Sequence, residues 1–356
     1  MKKIFSTLFL CGFILSALAG NGDLLKGFQY ASAEAPDGKE WESPERLALN
    51  KEQPHAIFYS FADVTAARKV LPENSTYRMS LNGEWKFYWA PEPEKRPKDF
   101  YRTDYDVTGW DNIPVPSNWN IYGLQKDGTQ KYGTPIYVNQ PVIFQHKVAV
   151  DDWRGGVMRT PPEHWTTYKC RNEVGSYRRD FTVPEDWEGR EVFINFDGVD
   201  SFFYLWINGH YVGFSKNSRN VASFNITPYL VKGKNVVAAE VYRSSDGSFL
   251  EAQDMFRLPG IFRTVALTST PKVHVRDWVV IPDLNATFDE GTLSIKADIC
   301  NLDKKEAKGY SMAYSLYANE LYSDENTLVA SGAATAAVDP IGKGGIISCR
   351  AGLTQK

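Results

Sequence analysis

Phe202-Phe203-Tyr204-Leu205-Trp206-Ile207-Asn208-Gly209-His210-Tyr211-Val212-Gly213-Phe214 decides the fold class. Two runs rich in aromatic and β-branched residues flank an Asn-Gly pair. Asn and Gly both tolerate the positive φ angles of a type I′ turn, so the stretch predicts a tight β-hairpin. Similar short runs lie on either side. Leu81-Asn82-Gly83-Glu84-Trp85-Lys86-Phe87-Tyr88-Trp89 holds a turn and then an alternating strand. Residues 110–119 read as extended, and Pro114 and Pro116 favour the edge of a sheet, where a missing N–H costs no ladder bond. Further strands are predicted at 175–182, 191–196, 236–242 and 262–267, with 221–229 and a Gly233-Lys234-Asn235 turn between them. Many short strands with almost no helical period argue for an all-β chain built around a β-sandwich over residues 76–271.

Thr270-Pro271 marks a boundary. Residues 272–356 open with alternating strands at 273–281, 292–299 and 312–318, which suit an immunoglobulin-like sandwich. Such a domain needs about seven strands in about 100 residues. From Gly342 to Lys356 the alternation is lost, so this second domain is expected to be truncated, with an open edge and a partly uncovered core.

The segment Asp246-Gly247-Ser248-Phe249-Leu250-Glu251-Ala252-Gln253-Asp254-Met255-Phe256-Arg257-Leu258-Pro259-Gly260-Ile261-Phe262-Arg263 follows neither a strand nor a helix period. Gly247, Pro259 and Gly260 make it a loop folded against a sheet. Acids and arginines among aromatics must be paired, hydrogen-bonded or bound to a ligand. A loop-pinning network of Glu251 and Asp254 with Arg257 and Arg263 is the plainer expectation.

The 356 residues are enough for about two domains. A net charge of −3 gives no basic footprint for nucleic acid. Aromatic residues are 14% of the chain, and most are expected in the core. Lys2 and Lys3 precede an apolar run from Ile4 to Leu18, and Ala17-Leu18-Ala19 is a small-x-small cleavage site. This pattern predicts a signal peptide at 1–19 and a periplasmic or secreted location, with no membrane span in the mature form. Cys11 falls inside the apolar run and does not read as a lipid-attachment site. Cys170, Cys300 and Cys349 remain; three scattered cysteines make no disulfide framework, and single thiols are expected. No Cys/His spacing fits zinc. Residues 20–75 read as an N-terminal arm, small and polar at first and then extended across the next domain.

In their order, several segments resemble the N-terminal part of the β-galactosidases of glycoside hydrolase family 2, the large lac-operon type. They are Trp41-Glu42-Ser43-Pro44, Leu81-Asn82-Gly83-Glu84-Trp85, Val115-Pro116-Ser117-Asn118-Trp119, Pro135-Ile136-Tyr137-Val138-Asn139, Leu205-Trp206-Ile207-Asn208-Gly209 and the Asp246–Arg263 segment. The likeness covers roughly residues 41–340. The resemblance implies a jelly-roll, galactose-binding-like first domain and an immunoglobulin-like second one, then a (β/α)8 barrel that carries the catalytic acids. It implies hydrolysis of terminal non-reducing β-D-galactose residues with retention, by two glutamates about 5–5.5 Å apart. Both glutamates, and the magnesium ligands, belong to the barrel, so no catalytic residue is expected in this chain and the chain alone is expected to be inactive.

Two contacts with the β-galactoside substrate are implied here. Asn139 would meet galactosyl hydroxyls, since an amide both donates and accepts, and Asp246 would contact the sugar and ligate a sodium ion, as suits a carboxylate. Glu251 and Asp254 are not catalytic in the family. Between Asn139 and Tyr177 the chain carries a longer insertion that includes Trp153 and Trp165. Family members form homo-oligomers. Two other readings stay open: a non-catalytic carbohydrate-binding module, and a fragment that serves oligomer assembly.

Overall fold

The computed structural model describes residues 36–69, 71–138, 172–251, 255–303, 307–319, 326–338 and 345–354. The signal peptide, Asn139, the insertion with Trp153 and Trp165, Cys170 and Asp254 lie outside the described residues. The chain divides into two compact units: Ala31–Gln53 with Tyr59–Ser269 form one, while Pro54–Phe58 and Thr270–Lys356 fall in the other.

The first unit is a sandwich. Its strands are β1 (Ala48–Leu49), β2 (Arg78–Ser80), β3 (Gly83–Ala90), β4 (Asp111–Val115), β5 (Ile136–Val138), β6 (Val174–Thr182), β7 (Glu191–Phe196), β8 (Val199–Asp200), β9 (Phe202–Ile207), β10 (His210–Ser215), β11 (Ala222–Asn225), β12 (Lys234–Tyr242), β13 (Met255–Arg257), β14 (Gly260–Ile261) and β15 (Val265–Thr270). One sheet runs β1-β10-β9-β12-β6-β3-β4 and the other β11-β7-β15-β2. The central hairpin forms as its sequence predicts: Asn208 and Gly209 have φ of 51° and 83°, and His210 pairs with Ile207. The proline-bearing β4 takes the edge of the large sheet. The strand expected at 262–267 is displaced to Val265–Thr270, with Gly260–Ile261 paired separately to β8.

Between the sheets lies a core that includes Trp85, Phe87 and Tyr177 from the large sheet and Ile194, Phe196 and Phe224 from the small one. The large sheet is covered on its other face too. Phe202, Tyr204 and Trp206 alternate with the inward residues of β9 and pack with Trp41 and Phe100 in a second aromatic cluster. All six residues of β9 are therefore buried. Alternation is absent from Phe202–Ile207 because neither face of this strand meets water.

Trp41 is 2% exposed and stacks on Tyr242, with ring centroids 5.5 Å apart and planes 22° apart. Tyr204 donates its hydroxyl proton to the buried Glu40 carboxylate. Residues 40–50 of the arm are thus a layer of the sandwich.

The second unit contains β16 (Val273–Leu284), β17 (Glu290–Asn301), β18 (Ala307–Asn319), β19 (Asn326–Val338) and β20 (Gly345–Thr354). They form a three-stranded sheet β16-β17-β20 and a β18-β19 pair. Residues 345–354 were expected to lack strand order, and this is corrected: β20 pairs with β17 from Gly345↔Ile299 to Thr354↔Glu290. Cross-strand hydrogen bonding supplies what the side-chain pattern lacks. Among the described side chains, Ala297 and Ile299 pack against Val273, Val275 and Met312. Cys300 is a buried thiol. On β16, Val279, Val280 and Ile281 are exposed. Phe58 meets Trp278 edge-on at 6.4 Å, and Ala56 donates its N–H to Asp277 Oδ1 at 2.9 Å.

Candidate functional site

Asp246 follows β12 and opens the single helical turn Gly247–Leu250. Serines tie this turn down: Ser245 N–H donates to Ser248 Oγ at 3.0 Å, and Ser201 Oγ lies 3.3 Å from Ser245 Oγ. The Asp246 carboxylate is nearly buried. Its Oδ1 lies 2.7 Å from Lys216 Nζ, in an ion pair whose side chains are 7% and 4% exposed. Lys216 also donates to the Ser43 carbonyl at 2.7 Å. Burial pushes the Lys216 ammonium below its ordinary value, and Asp246 opposes that shift.

A second buried pair stands behind the first. Glu173 Oε1 lies 2.6 Å from Arg243 Nη1. Glu173 Oε2 accepts from Trp119 Nε1 at 3.1 Å and Asn120 Nδ2 at 3.3 Å. Arg243 Nη2 donates to the Thr134 carbonyl at 2.9 Å. One guanidinium therefore binds the chain five residues before Asn139 while sitting three residues before Asp246. Asn172 adds a two-way bond to the Ser244 backbone, 2.8 Å as donor and 3.0 Å as acceptor. Asn139 itself is not described, but the strand before it, β5, pairs with β13 in the register Val138↔Met255 and Ile136↔Arg257.

The expected pairing of Glu251 with arginine side chains is corrected. Ser218 holds Glu251, through its N–H at 2.8 Å and its hydroxyl at 2.5 Å. Arg257 reaches the Glu251 main-chain carbonyl at 3.5 Å. Arg263 donates to the Arg219 carbonyl at 2.9 Å and lies over the Phe262 ring. Among the described residues of this region, Asp200 forms an ion pair with Arg219 at 3.0 Å. Burial lifts the Asp200 carboxyl to about 6, and Arg219 holds it from rising further.

Asp246 was also expected to ligate sodium. A hard monovalent cation needs several oxygen ligands. The described residues offer it one carboxylate, half of which faces an ammonium. No group of three or more His, Cys, Asp or Glu that could hold a metal occurs among the described residues. Lys216, Glu173 and Arg243 escaped the sequence reading. The one available signal was a lysine, Lys216, directly after the apolar strand at 210–215, where a charge needs a partner.

The sandwich and its tied-down acidic turn define a class: residues 78–271 match the family described as glycosyl hydrolases family 2, sugar binding domain. The chain belongs to glycoside hydrolase family 2. It is similar to the beta-galactosidase of Priestia megaterium, with 39% identity over 293 residues that make up 82% of this chain and 26% of that protein. The beta-galactosidase of Halalkalibacterium halodurans is 36% identical over 285 residues, 80% of this chain and 25% of that one. The chain thus spans about a quarter of the length of these curated relatives. Among solved structures, a beta-glucuronidase from glycoside hydrolase family 2 superposes with a TM-score of 0.56 at 18% identity, over 79% of this chain and 27% of that one. Bacteroides uniformis beta-glucuronidase 2 gives 0.55 at 18% identity, over 78% and 28%. At that identity the likeness speaks to fold alone. No described helix is long and apolar enough to cross a membrane.

Proposed function

We propose that this chain is the N-terminal, sugar-contacting part of an exported β-galactosidase that releases terminal non-reducing β-D-galactose with retention. The observation that carries the reading is the 39% identity to a beta-galactosidase over a stretch that takes in both motifs, Pro135–Asn139 and Asp246–Arg263. Retention requires two carboxyl groups about 5–5.5 Å apart. In this reading both come from the barrel, and this chain binds and orients. The Asp246 carboxylate keeps one oxygen on Lys216 and offers the other to a sugar hydroxyl. The Asn139 amide donates to one hydroxyl and accepts from its neighbour. The β5–β13 pairing and the Arg243–Thr134 bond tie the two motifs together. A sodium ion at Asp246 is part of this reading, and magnesium belongs to the barrel. The signal-like N-terminus supports a periplasmic or secreted location, and assembly as a homo-oligomer follows the family.

The test is a chimera in which residues 41–340 replace the matching segment of the Priestia megaterium enzyme. Hydrolysis of a chromogenic β-galactoside is expected to persist. Asp246→Ala should lower kcat/KM by about 100-fold, the scale of a lost hydrogen-bonded charge at the substrate. Preference for a β-glucuronide, or indifference to Asp246→Ala, would overturn the reading.

A further inference from the structure

The arm and the acidic turn are joined at two points. Asp246 donates its N–H to the Trp41 carbonyl at 2.9 Å. Lys216 places its ammonium between the Ser43 carbonyl and Asp246 Oδ1, each at 2.7 Å. The arm is held in place independently of either contact. Trp41 stacks on Tyr242, and β1 pairs with β10 through Ala48↔Ser215 and Leu49↔Phe214. Asn50 Nδ2 donates to the Val212 carbonyl at 2.7 Å. Gly213 lies so close beneath the arm that an added Cβ would stand 2.1 Å from the Leu49 carbonyl oxygen.

Resting on the β-galactosidase reading, we propose that residues 41–43 of the arm are part of the galactose site, with Lys216 as the positioning residue that couples them to Asp246. The chemistry follows from the donor count. An ammonium has three protons; one is committed to the Ser43 carbonyl, and the ammonium holds Asp246 Oδ1 as an ion pair at 2.7 Å. The ion pair fixes one carboxylate oxygen, and the other is the one assigned here to a sugar hydroxyl. With its backbone N–H held by Trp41 and one carboxylate oxygen held by Lys216, Asp246 has little freedom to swing away from the ligand. Holding a contact group to within about 0.5 Å is what separates a working site from a loose one. A seated arm therefore favours galactose binding, and bound galactose favours the seated arm in equal measure.

The test uses this chain, with galactose as the probe and two NMR readouts: amide exchange at Asp246 and the galactose-dependent shift of its resonance. Lys216→Met should speed exchange at Asp246 by about tenfold, leave β9 and β12 protected, and weaken the galactose response about fivefold. Lys216→Arg should restore part of both. Gly213→Ala, which touches neither Lys216 nor Asp246, should reproduce the loss by lifting the arm. Unchanged exchange in Lys216→Met would overturn the coupling. Loosened exchange with an unchanged galactose response would overturn the positioning role and leave the β-galactosidase reading standing. No galactose-dependent shift in the unaltered chain, up to about 100 mM sugar, would overturn both.

Discussion

Arg243 Nη1 stands 2.6 Å from Glu173 Oε1, with side chains only 2% and 0% exposed. Three nitrogen donors from Trp89, Trp119 and Asn120 reach the second Glu173 oxygen, so the carboxylate is solvated by protein rather than water. Breaking one side leaves a buried charge uncompensated, at a cost of about 3–5 kcal/mol. Glu173→Ala and Arg243→Ala should each lower the unfolding free energy of the first sandwich by that amount. Glu173→Gln with Arg243→Met should cost less than the sum of the single changes. Urea titrations followed by tryptophan fluorescence measure both.

Trp41→Ala should destabilise by about 3–5 kcal/mol, the range for removing a buried aromatic side chain. Trp41 contributes a stacked ring over Tyr242 and an indole N–H bonded to the Gly38 carbonyl at 3.0 Å. Thermal unfolding of the variant against the parent chain checks it; a loss under 1 kcal/mol would mean the arm is not a structural layer.

A dip in stability with rising pH is expected from Asp200. Its folded carboxyl titrates near 6 against an ordinary 3.8, because burial disfavours the charge and Glu251 adds to that, while Arg219 and Arg257 oppose it. Below 3.8 both states hold the proton. Between about pH 4 and 6 the unfolded chain has released its proton and the folded chain has not, so stability falls as pH rises through this window. The full difference is about 1–3 kcal/mol at pH 7. Asp200→Asn should flatten that slope, as read from unfolding midpoints at a series of pH values.

The chain by itself should not turn over a chromogenic β-galactoside, because no pair of carboxyls in the described site has the exposure or the setting of an acid/base and nucleophile. Asp246 is committed to Lys216 and Glu251 to Ser218. Measurable release of chromophore by the purified chain, lost on mutation of Asp246 or Glu251, would refute this.

Limited proteolysis should cut within residues 272–356 before it cuts the first sandwich. In the second unit Val279, Val280 and Ile281 face solvent on β16. Few buried apolar contacts mean low local stability. Equal resistance of both units would sink the idea.

Much of this was legible from residues alone. Asn208-Gly209 fixed its hairpin because few other pairs accept two positive φ angles in succession. Pro114 and Pro116 sent β4 to an edge because a proline has no N–H to give a second neighbour. Residues 345–354 were not legible, since their pairing with β17 is a backbone matter that side-chain alternation does not report. The partners of the acids were also hidden. Glu251 sits 33 residues from Ser218, and Glu173 sits 70 from Arg243. Nothing local marks such pairs, and the nearby arginines in the Asp246–Arg263 loop drew attention away from Ser218 as the partner of Glu251. Asp246 was visible as a candidate, but the lysine that holds it was not.

The burial of β9 on both faces bears on how this chain can be handled. A sheet with one wet face tolerates trimming of whatever precedes it. Here, a protease or a cloning boundary that removed residues 40–50 would uncover Tyr204 and Tyr242, an aromatic surface made for contact and ready to stick to another molecule. An affinity tag belongs ahead of Asp37. Any shortened form that begins after Leu49 should be recovered as aggregate, although every strand of the large sheet from β3 onward is still encoded.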